Sequence, residues 1–230
     1  MKRMNRVIYL GLALAMCFSL LSSAYAVEEQ NSNVISFEDY YKALKAEYAK
    51  YNMNLEILDH NDSFVYTQEF LDEKIASLNS YMETADFDKE SGTFLDYNCE
   101  ETTNENNTEG QSILGIMPNT RDYTLYPTVN ATGIFPGSAE LEIRVNVTED
   151  VSSGVFMSIN SVTSRQYGTA VNFESWTQTS HTVHIISNYN SLIYGVVHGT
   201  LVAIYTEPKT GNVIRNTSDH DLQVSIDCEA

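Results

Sequence analysis

The sequence predicts a mainly β protein: an antiparallel β-sandwich of about seven strands, Ig-like or related, with an N-terminal pair of amphipathic helices. Residues 192–205 form a long, nearly uncharged run rich in Val, Ile and Tyr, which is typical of a strand inside a sheet. Residues 141–148 alternate strictly between apolar and polar side chains, as a half-buried strand does. Turn signals separate such stretches from 121 to 230 without a helical pattern, which favours a sandwich or small barrel.

Residues 1–26 have the pattern of a secretory signal peptide. A basic start is followed by the uncharged apolar stretch Val7–Leu21 and by the small residues that precede a cleavage site after Ala26. The apolar stretch is short for a membrane span, and the residue before Cys17 is not the small one that a lipidation signal requires. We therefore expect a secreted, extracellular protein with no membrane anchor after cleavage.

The net charge indicates which partners the chain avoids. The predicted leader holds three basic residues and no acidic one, so its removal takes the net charge from −18 to −21. A surface of that charge repels nucleic acid and anionic membrane. We therefore expect neither of these as a partner, which leaves an unknown extracellular protein or glycan.

Residues 27–83 are predicted to form a helical preface to the β region. Ser36 can cap a first helix, whose apolar side chains recur at three- and four-residue steps: Phe37, Tyr41, Leu44, Tyr48 and Tyr51. Thr67 can cap a second helix that runs to about Glu83. Leu55–Leu58 lies between them and fits either a continued helix or a short strand. Two such helices cannot bury a core alone, so they must pair with each other, dock on the β region or meet a partner.

Residues 84–120 are rich in Glu, Asp, Asn and Thr, and Glu100–Glu109 contains no apolar residue. A segment that buries little apolar surface cannot offset the entropy cost of folding. The sequence therefore predicts an acidic linker, mostly disordered, between the helical preface and a β-sandwich domain at 121–230.

Within the β-sandwich domain we expect a hairpin at the centre of a sheet. Its arms are residues 181–187 and 192–205, and Asn188–Ser191 between them is turn material. Both faces of the second arm are largely apolar, so this strand is covered on both sides or packs closely against another layer. The same reading predicts further strands at 123–129, 155–162, 167–173 and 222–228.

Two cysteines remain after the leader is removed, Cys99 and Cys228. Outside the cell the pair can form a disulfide that clamps the two ends of the β region. Closing so long a loop contributes roughly 4 kcal/mol in the chain-entropy model. The other interpretation is two unpaired thiols, with Cys228 buried on the apolar face of a last strand.

Two segments carry a resemblance to known proteins. They are Tyr40–Tyr51, which leads into Leu55–Leu58, and the β region around Trp176–Ser180. Together with the signal peptide, they resemble secreted proteins of unassigned role from clostridia-type Gram-positive bacteria. The resemblance implies a bacterial, extracellular setting and brings no catalytic residue with it.

No metal site is predicted. His181 and His184 lie at odd spacing on an expected strand, which points their side chains to opposite faces. Asp219–Asp221 encloses a histidine but lacks a third anchor nearby. Asp86–Gly92 begins like a calcium loop, yet its glycine comes one position late and Tyr97 stands where a ligating Glu is required. We expect no cofactor, apart from calcium bound adventitiously by surface carboxylates.

Phe173 and Trp176 are the predicted binding residues. An aromatic side chain at a loop end can stack on a sugar or peptide, whereas a tryptophan that closes the core is the other interpretation. No G-x-S-x-G motif and no activated cysteine is present in the sequence, so no catalytic residue is predicted.

The leading hypothesis is therefore a secreted, non-catalytic protein whose β-sandwich binds an extracellular partner or a surface glycan. One alternative is a secreted hydrolase that acts on cell-wall or host polymers through carboxylates. Another is a secreted antagonistic protein whose helices are a removable pro-region.

Overall fold

The computed structural model describes residues 33–96, 101–109, 118–131, 137–186 and 191–228, with the backbone alone for 101–109. The predicted signal peptide lies outside these residues. The described chain is mainly β and contains the helices α1 (Phe37–Ala49) and α2 (Gln68–Thr84). Its strands are β1 (Asn54–Asp59), β2 (Phe87–Asp88), β3 (Thr93–Asp96), β4 (Glu101–Glu109), β5 (Pro118–Leu125), β6 (Thr128–Asn130), β7 (Ser138–Asp150), β8 (Val155–Val171), β9 (Phe173–His181), β10 (His184–Ile185), β11 (Leu192–Thr206) and β12 (Val213–Asp227).

The strands form two sheets. Sheet A has seven strands in the order β10-β11-β12-β3-β2, with β1 also paired to β12 and β9 also paired to β11. Sheet B has five strands in the order β4-β5-β7-β6, with β8 also paired to β7. Sheet B is antiparallel throughout, whereas β3 runs parallel to β12 in sheet A.

This topology corrects two parts of the predicted sandwich. The predicted β region contains eight strands, β5 to β12, close to the expected seven, but four further described strands precede it and sheet A is mixed rather than antiparallel. The extra strands are short or polar, so their alternation is invisible in the sequence. β3 can run parallel to β12 because the two strands are far apart in the chain and no tight turn fixes their relative direction.

The predicted hairpin is present in a different form. β11 lies inside sheet A as expected, but it pairs along its whole length with β12, from Leu192–Asp227 to Thr206–Val213. The predicted first arm is reduced to β10, which pairs His184 with Tyr194 and Ile185 with Ile193. β9 takes the rest of that edge of β11. A run of β-branched residues can pair with several strands, so its sequence does not identify the neighbour. The first half of β12 is polar, and for this reason it was not predicted as a strand.

One hydrophobic core lies between the two sheets. Sheet B contributes the inward-facing positions of β7, which alternate along the strand as predicted: Leu141, Ile143, Val145 and Val147. Sheet A contributes Ile193, Val197 and Leu201 from β11, opposite Ile226 and Leu222 from β12. The outward face of β11 is half-buried or exposed, with Tyr194 40% exposed. Of the two alternatives predicted for β11, close packing against another layer is met by its inward face against sheet B, whereas full cover on both sides is not met in the described chain.

A second core lies under the helices. Tyr40, Leu44 and Tyr48 of α1 pack with Leu78 of α2 and with Ile214 of β12. Ile214 lies on the same face of β12 as Leu222, because buried residues alternate along the whole strand. The helices and sheet B therefore cover two halves of one face of sheet A. No helix in the described part of the chain is long and apolar enough to cross a membrane.

The helix ends follow local chemistry. Ser36 Oγ accepts a hydrogen bond from the Asp39 N–H at 3.0 Å, and Thr67 Oγ1 accepts one from the Phe70 N–H at 3.2 Å. After α1 the chain turns at Asn52, whose φ of +53° is a conformation that asparagine tolerates. This turn leads directly into β1, so Leu55 lies on a strand rather than on a continued helix.

Where the stretch 84–120 is described, it contains strands, whereas the sequence predicts a mostly disordered linker. β2 and β3 form a hairpin on the edge of sheet A, and β4 pairs with β5 in sheet B. Phe94 on β3 is buried in the core under the helices. The mostly polar composition of the stretch gave no indication of this apolar contact. Strand pairing itself uses backbone groups, so a polar sequence such as that of β4 can still join a sheet.

A buried ion pair joins the helices to sheet A. Glu207, in the turn between β11 and β12, is almost fully buried and pairs with Lys74 of α2. The other oxygen of its carboxylate accepts a hydrogen bond from Thr210 Oγ1 at 2.7 Å. A carboxylate in this position needs its counterion, because water cannot replace it.

We predict that Lys74→Met destabilises the protein by about 3 kcal/mol, because it leaves the Glu207 carboxylate buried without a cation. Lys209→Met is the matched control: Lys209 pairs with Glu73, both side chains are well exposed, and the loss should stay below about 1 kcal/mol. Urea unfolding of both variants measures the difference. Equal losses would show that the Lys74 pair does not hold the helical layer in place.

Candidate functional site

A bulge on the outer face of sheet B is the starting point of the candidate site. β7 and β8 pair with Ala139 opposite Ala170 and with Leu141 opposite Gln166. Glu140 alone therefore faces the three residues Tyr167, Gly168 and Thr169 of β8. Bulges interrupt strand pairing and redirect side chains, and they are frequent beside binding sites.

Glu140 holds the bulge in shape. Its Oε2 accepts a hydrogen bond from the Thr169 N–H at 2.8 Å, and Gln166 Nε2 donates to the Gly168 carbonyl at 2.6 Å. A Cβ on Gly168 would lie 1.8 Å from Glu140 Oε2 and would displace the carboxylate from the Thr169 N–H. Glycine at position 168 thus leaves the space that the Glu140 carboxylate occupies.

The bulge presents Tyr167 to solvent with 57% of its surface exposed. Tyr126, from the connection between β5 and β6, lies against it with ring centroids 5.1 Å apart and planes tilted by 41°. The pKa of Tyr126 is raised, first because burial disfavours the phenolate and then because Tyr167 and Glu142 oppose its charge. At neutral pH the Tyr126 hydroxyl therefore stays protonated and can donate a hydrogen bond.

Two arginines next to the tyrosines are fixed by one buried carboxylate. Glu142 Oε1 accepts from Arg144 Nη2 at 3.2 Å and from Arg165 Nε at 3.1 Å, and Arg165 Nη2 lies 3.0 Å from the same oxygen. The Glu142 side chain is 6% exposed, whereas both arginines are well exposed. The guanidinium groups are thus held in place by Glu142 while their outer edges face solvent.

We call this surface the tyrosine–arginine patch, and it consists of Tyr126, Tyr167, Glu140, Glu142, Arg144 and Arg165. It combines two aromatic side chains with fixed donors and acceptors on a rigid sheet. An aromatic face can pack against the apolar C–H face of a sugar ring, and the polar groups can bond its hydroxyls.

The predicted binding residues Phe173 and Trp176 lie elsewhere, on β9. Both are partly buried and pack against the core between the sheets. Trp176 Nε1 donates to Ser164 Oγ at 2.9 Å, and its ring lies so close to Gly199 that a Cβ there would be 2.2 Å from it. The Trp176 ring therefore packs within the fold, and its one N–H group is already hydrogen-bonded there.

A buried chain of hydrogen bonds links β3 to β12. Ser218 Oγ lies 2.9 Å from His220 Nε2, and His220 Nδ1 lies 2.9 Å from Asp96 Oδ2. This connectivity matches that of a serine nucleophile with its base and orienting acid. Ser218 and His220 are only 2% and 1% exposed, however, so a substrate carbonyl cannot reach Ser218 Oγ in this conformation.

The Ser218–His220–Asp96 chain therefore acts as an internal link in the described structure. The His220 ring lies between Phe94, at 5.6 Å between ring centroids, and Trp176, at 6.4 Å. Sequence reasoning missed it because the partner of His220 comes from the stretch predicted to be disordered. The sequence did contain one indication of this contact, since Ser218 and His220 are two residues apart and therefore lie on the same face of a strand.

The two aspartates that flank His220 lie on the opposite, outer face of sheet A. Asp221 Oδ1 lies 2.7 Å from His198 Nδ1, and Asp219 accepts from Thr200 Oγ1 at 2.7 Å. The sequence triplet is therefore divided between two faces and forms no single ligand cluster. Across the described residues, no group of three or more His, Cys, Asp or Glu side chains is placed to hold a metal ion.

The calcium-like loop is the turn between β2 and β3. The Asp88 carboxylate accepts from the Glu90 N–H and from Ser91 Oγ, both at 2.9 Å. These hydrogen bonds, the one from Glu90 first, lower the pKa of Asp88. Asp88 is thus satisfied by the turn itself. Tyr97, at the last ligand position, lies outside the described residues.

Cys228 carries a free thiol in this structure, and Cys99 lies outside the described residues. The Cys228 Sγ is 3.7 Å from Oε2 of the buried Glu149, which also accepts from the Tyr123 hydroxyl at 2.8 Å. Burial, followed by repulsion from Glu149, raises the pKa of the Cys228 thiol. The Cys99–Cys228 disulfide stays a prediction.

A comparison with known protein families found no match, and comparisons with curated proteins and with solved structures found none either. The function must therefore be argued from the side chains of the chain itself.

We predict that His220→Ala destabilises the protein by about 3 kcal/mol, because Ser218 and Asp96 lose their shared partner and a cavity remains. His198→Ala is the control, since His198 also bonds an aspartate but is 31% exposed, and it should cost less than about 1 kcal/mol. Thermal and urea unfolding compare the two. A His220 variant as stable as the His198 variant would contradict the structural role of the buried chain.

Proposed function

We propose that the chain is a secreted, non-catalytic protein that binds a surface glycan through the tyrosine–arginine patch. The proposal includes export by the leader at 1–26 and an Ig-like or related sandwich formed by sheets A and B. The observation that carries it is the exposed Tyr126–Tyr167 pair, held on a bulge beside two arginines that Glu142 fixes in place.

The geometry of the bulge supports a binding role because it places the Tyr167 side chain in solvent rather than in the core. Tyr167 is more than half exposed and so contributes little to the core. Yet its position depends on the three-residue bulge, on the space that Gly168 leaves free, and on the Glu140 carboxylate that fills this space. An arrangement that removes strand pairing in order to expose an aromatic side chain is expected where that side chain meets a ligand.

Rigidity supports the same proposal. Arg144 lies on β7 and Arg165 on β8, the most extensively paired strands of sheet B. The Glu142 carboxylate already restricts both guanidinium groups, so little side-chain entropy is lost when a ligand binds them. Pre-organised donors beside aromatic rings recognise hydroxyl-rich ligands at low entropic cost.

The helices belong to the folded unit in this proposal rather than to a removable pro-region. Ile214 of β12 and Leu55 of β1 are fully or almost fully buried beneath them. Cutting the chain between 84 and 120 and releasing the helices would expose this apolar surface to water. For this reason we prefer a single binding protein to an antagonist with a helical pro-region.

The test is a glycan array probed with the purified protein, followed by titration calorimetry on the best soluble oligosaccharide. Tyr167→Ala should weaken binding at least about tenfold, a loss of ~1.4 kcal/mol, because the sugar ring loses its aromatic face. Tyr194→Ala is the matched control, since Tyr194 is also an exposed tyrosine but lies on the outer face of sheet A.

A second variant tests the bulge itself. Gly168→Ala displaces the Glu140 carboxylate and should weaken binding while leaving the rest of sheet B folded, which circular dichroism checks. Equal affinities for the wild type, Tyr167→Ala and Gly168→Ala would rule out this patch as the binding surface.

A further inference from the structure

We infer that the ligand of the tyrosine–arginine patch is an uncharged saccharide rather than an acidic or basic one. The inference rests on the proposed function and adds the chemical class of the ligand. It follows from the way in which the charges of the patch are already matched.

The charges within the patch balance one another. Glu140 and Glu142 contribute two negative charges, and Arg144 and Arg165 contribute two positive charges. The Glu142 carboxylate is 6% exposed and depends on both guanidinium groups, at 3.0–3.2 Å, for its stabilisation. The patch therefore has no net charge to offer to an ionic ligand.

An acidic sugar would compete with Glu142 for the arginines. A ligand carboxylate or sulfate at the outer N–H groups of Arg144 and Arg165 would draw both guanidinium groups away from Glu142, and weaker compensation of a buried carboxylate is unfavourable. For a basic sugar Glu142 is covered, so only the exposed carboxylate of Glu140 is within reach. The exposed guanidinium groups of Arg144 and Arg165 would repel the ammonium group of such a sugar. The charges that the patch already holds thus disfavour either charged ligand.

A neutral sugar has no such conflict. The contacts with Glu142 use one nitrogen of Arg144 and two of Arg165, so N–H groups on each guanidinium remain for sugar oxygens. Glu140 can accept from a hydroxyl at its exposed side, and the Tyr126 and Tyr167 rings meet the C–H face. The chain's net charge of −18 further disfavours polyanions.

The experiment uses two pairs of soluble probes that share a backbone and differ in charge. One pair is the chitosan hexamer and its fully N-acetylated, neutral form; the other is hexagalacturonate and its neutral methyl ester. Calorimetry with the purified protein should show the neutral member of at least one pair binding at least about tenfold tighter than its charged form. This binding should change less than about twofold between about 50 and about 500 mM NaCl, because no net charge is neutralised.

The outcomes separate this inference from the proposed function. If a charged member binds tighter, with an affinity that falls steeply with salt and is lost in Tyr167→Ala, the ligand class is wrong while the binding surface stands. If neither pair nor any glycan on an array binds, or if Tyr167→Ala binds as well as the wild type, the proposed function fails and the inference fails with it.

Discussion

The uninterrupted pairing of β11 with β12 fixes the positions of both hydrophobic cores. The two strands stay in one register from Leu192–Asp227 to Thr206–Val213, so their inward-facing residues form one continuous surface. Sheet B covers the half with Val197 and Leu222, and the helices cover the half with Ile214. A slip by one residue would turn every one of these side chains outward, because successive residues on a strand face opposite sides. The two cores therefore depend on a single register.

Buried polar side chains lie between the two hydrophobic cores. On β12, the apolar residues Ile214 and Leu222 are separated on the inward face by Asn216, Ser218 and His220, all of which are buried. His220 is satisfied by Asp96 and Ser218, and through Asp96 it ties the parallel strand β3 to the sheet. A polar strip is stable there because His220 has a partner at each ring nitrogen, Ser218 on its own strand and Asp96 on the neighbouring β3, which is what a buried polar group requires.

Local pattern predicted those parts of the fold whose environment repeats along one strand. β7 alternates and is buried on one side as its sequence predicts, and Leu192–Thr206 is an interior strand. The first half of β12 and the strands between 84 and 120 were missed for a common reason. Their polar residues are stabilised by partners distant in the chain, such as Asp96 for His220, and no single segment contains both members of such a pair.

The same limit applies to the candidate site. Trp176 was conspicuous as the only tryptophan, yet its ring fills the space above Gly199. Tyr126 and Tyr167 had no distinctive sequence context, and they come together only because β8 bulges against Glu140. Gly168, directly after Tyr167 inside a predicted strand, was the one local sign of a bulge. The arginines were equally hidden, since Glu142 connects residues of two strands.

A ¹H–¹⁵N spectrum of the protein titrated with a neutral oligosaccharide locates the binding surface. If the ligand binds at the tyrosine–arginine patch, the amide signals of residues 140–144 and 165–169 shift, and those of Gly168 and Thr169 shift among the most. The reason is that Glu140 Oε2 accepts from the Thr169 N–H and that the Glu140 carboxylate lies beside Gly168. Shifts confined to the outer face of sheet A around Tyr194, or to the surroundings of Trp176, would instead place the binding surface there.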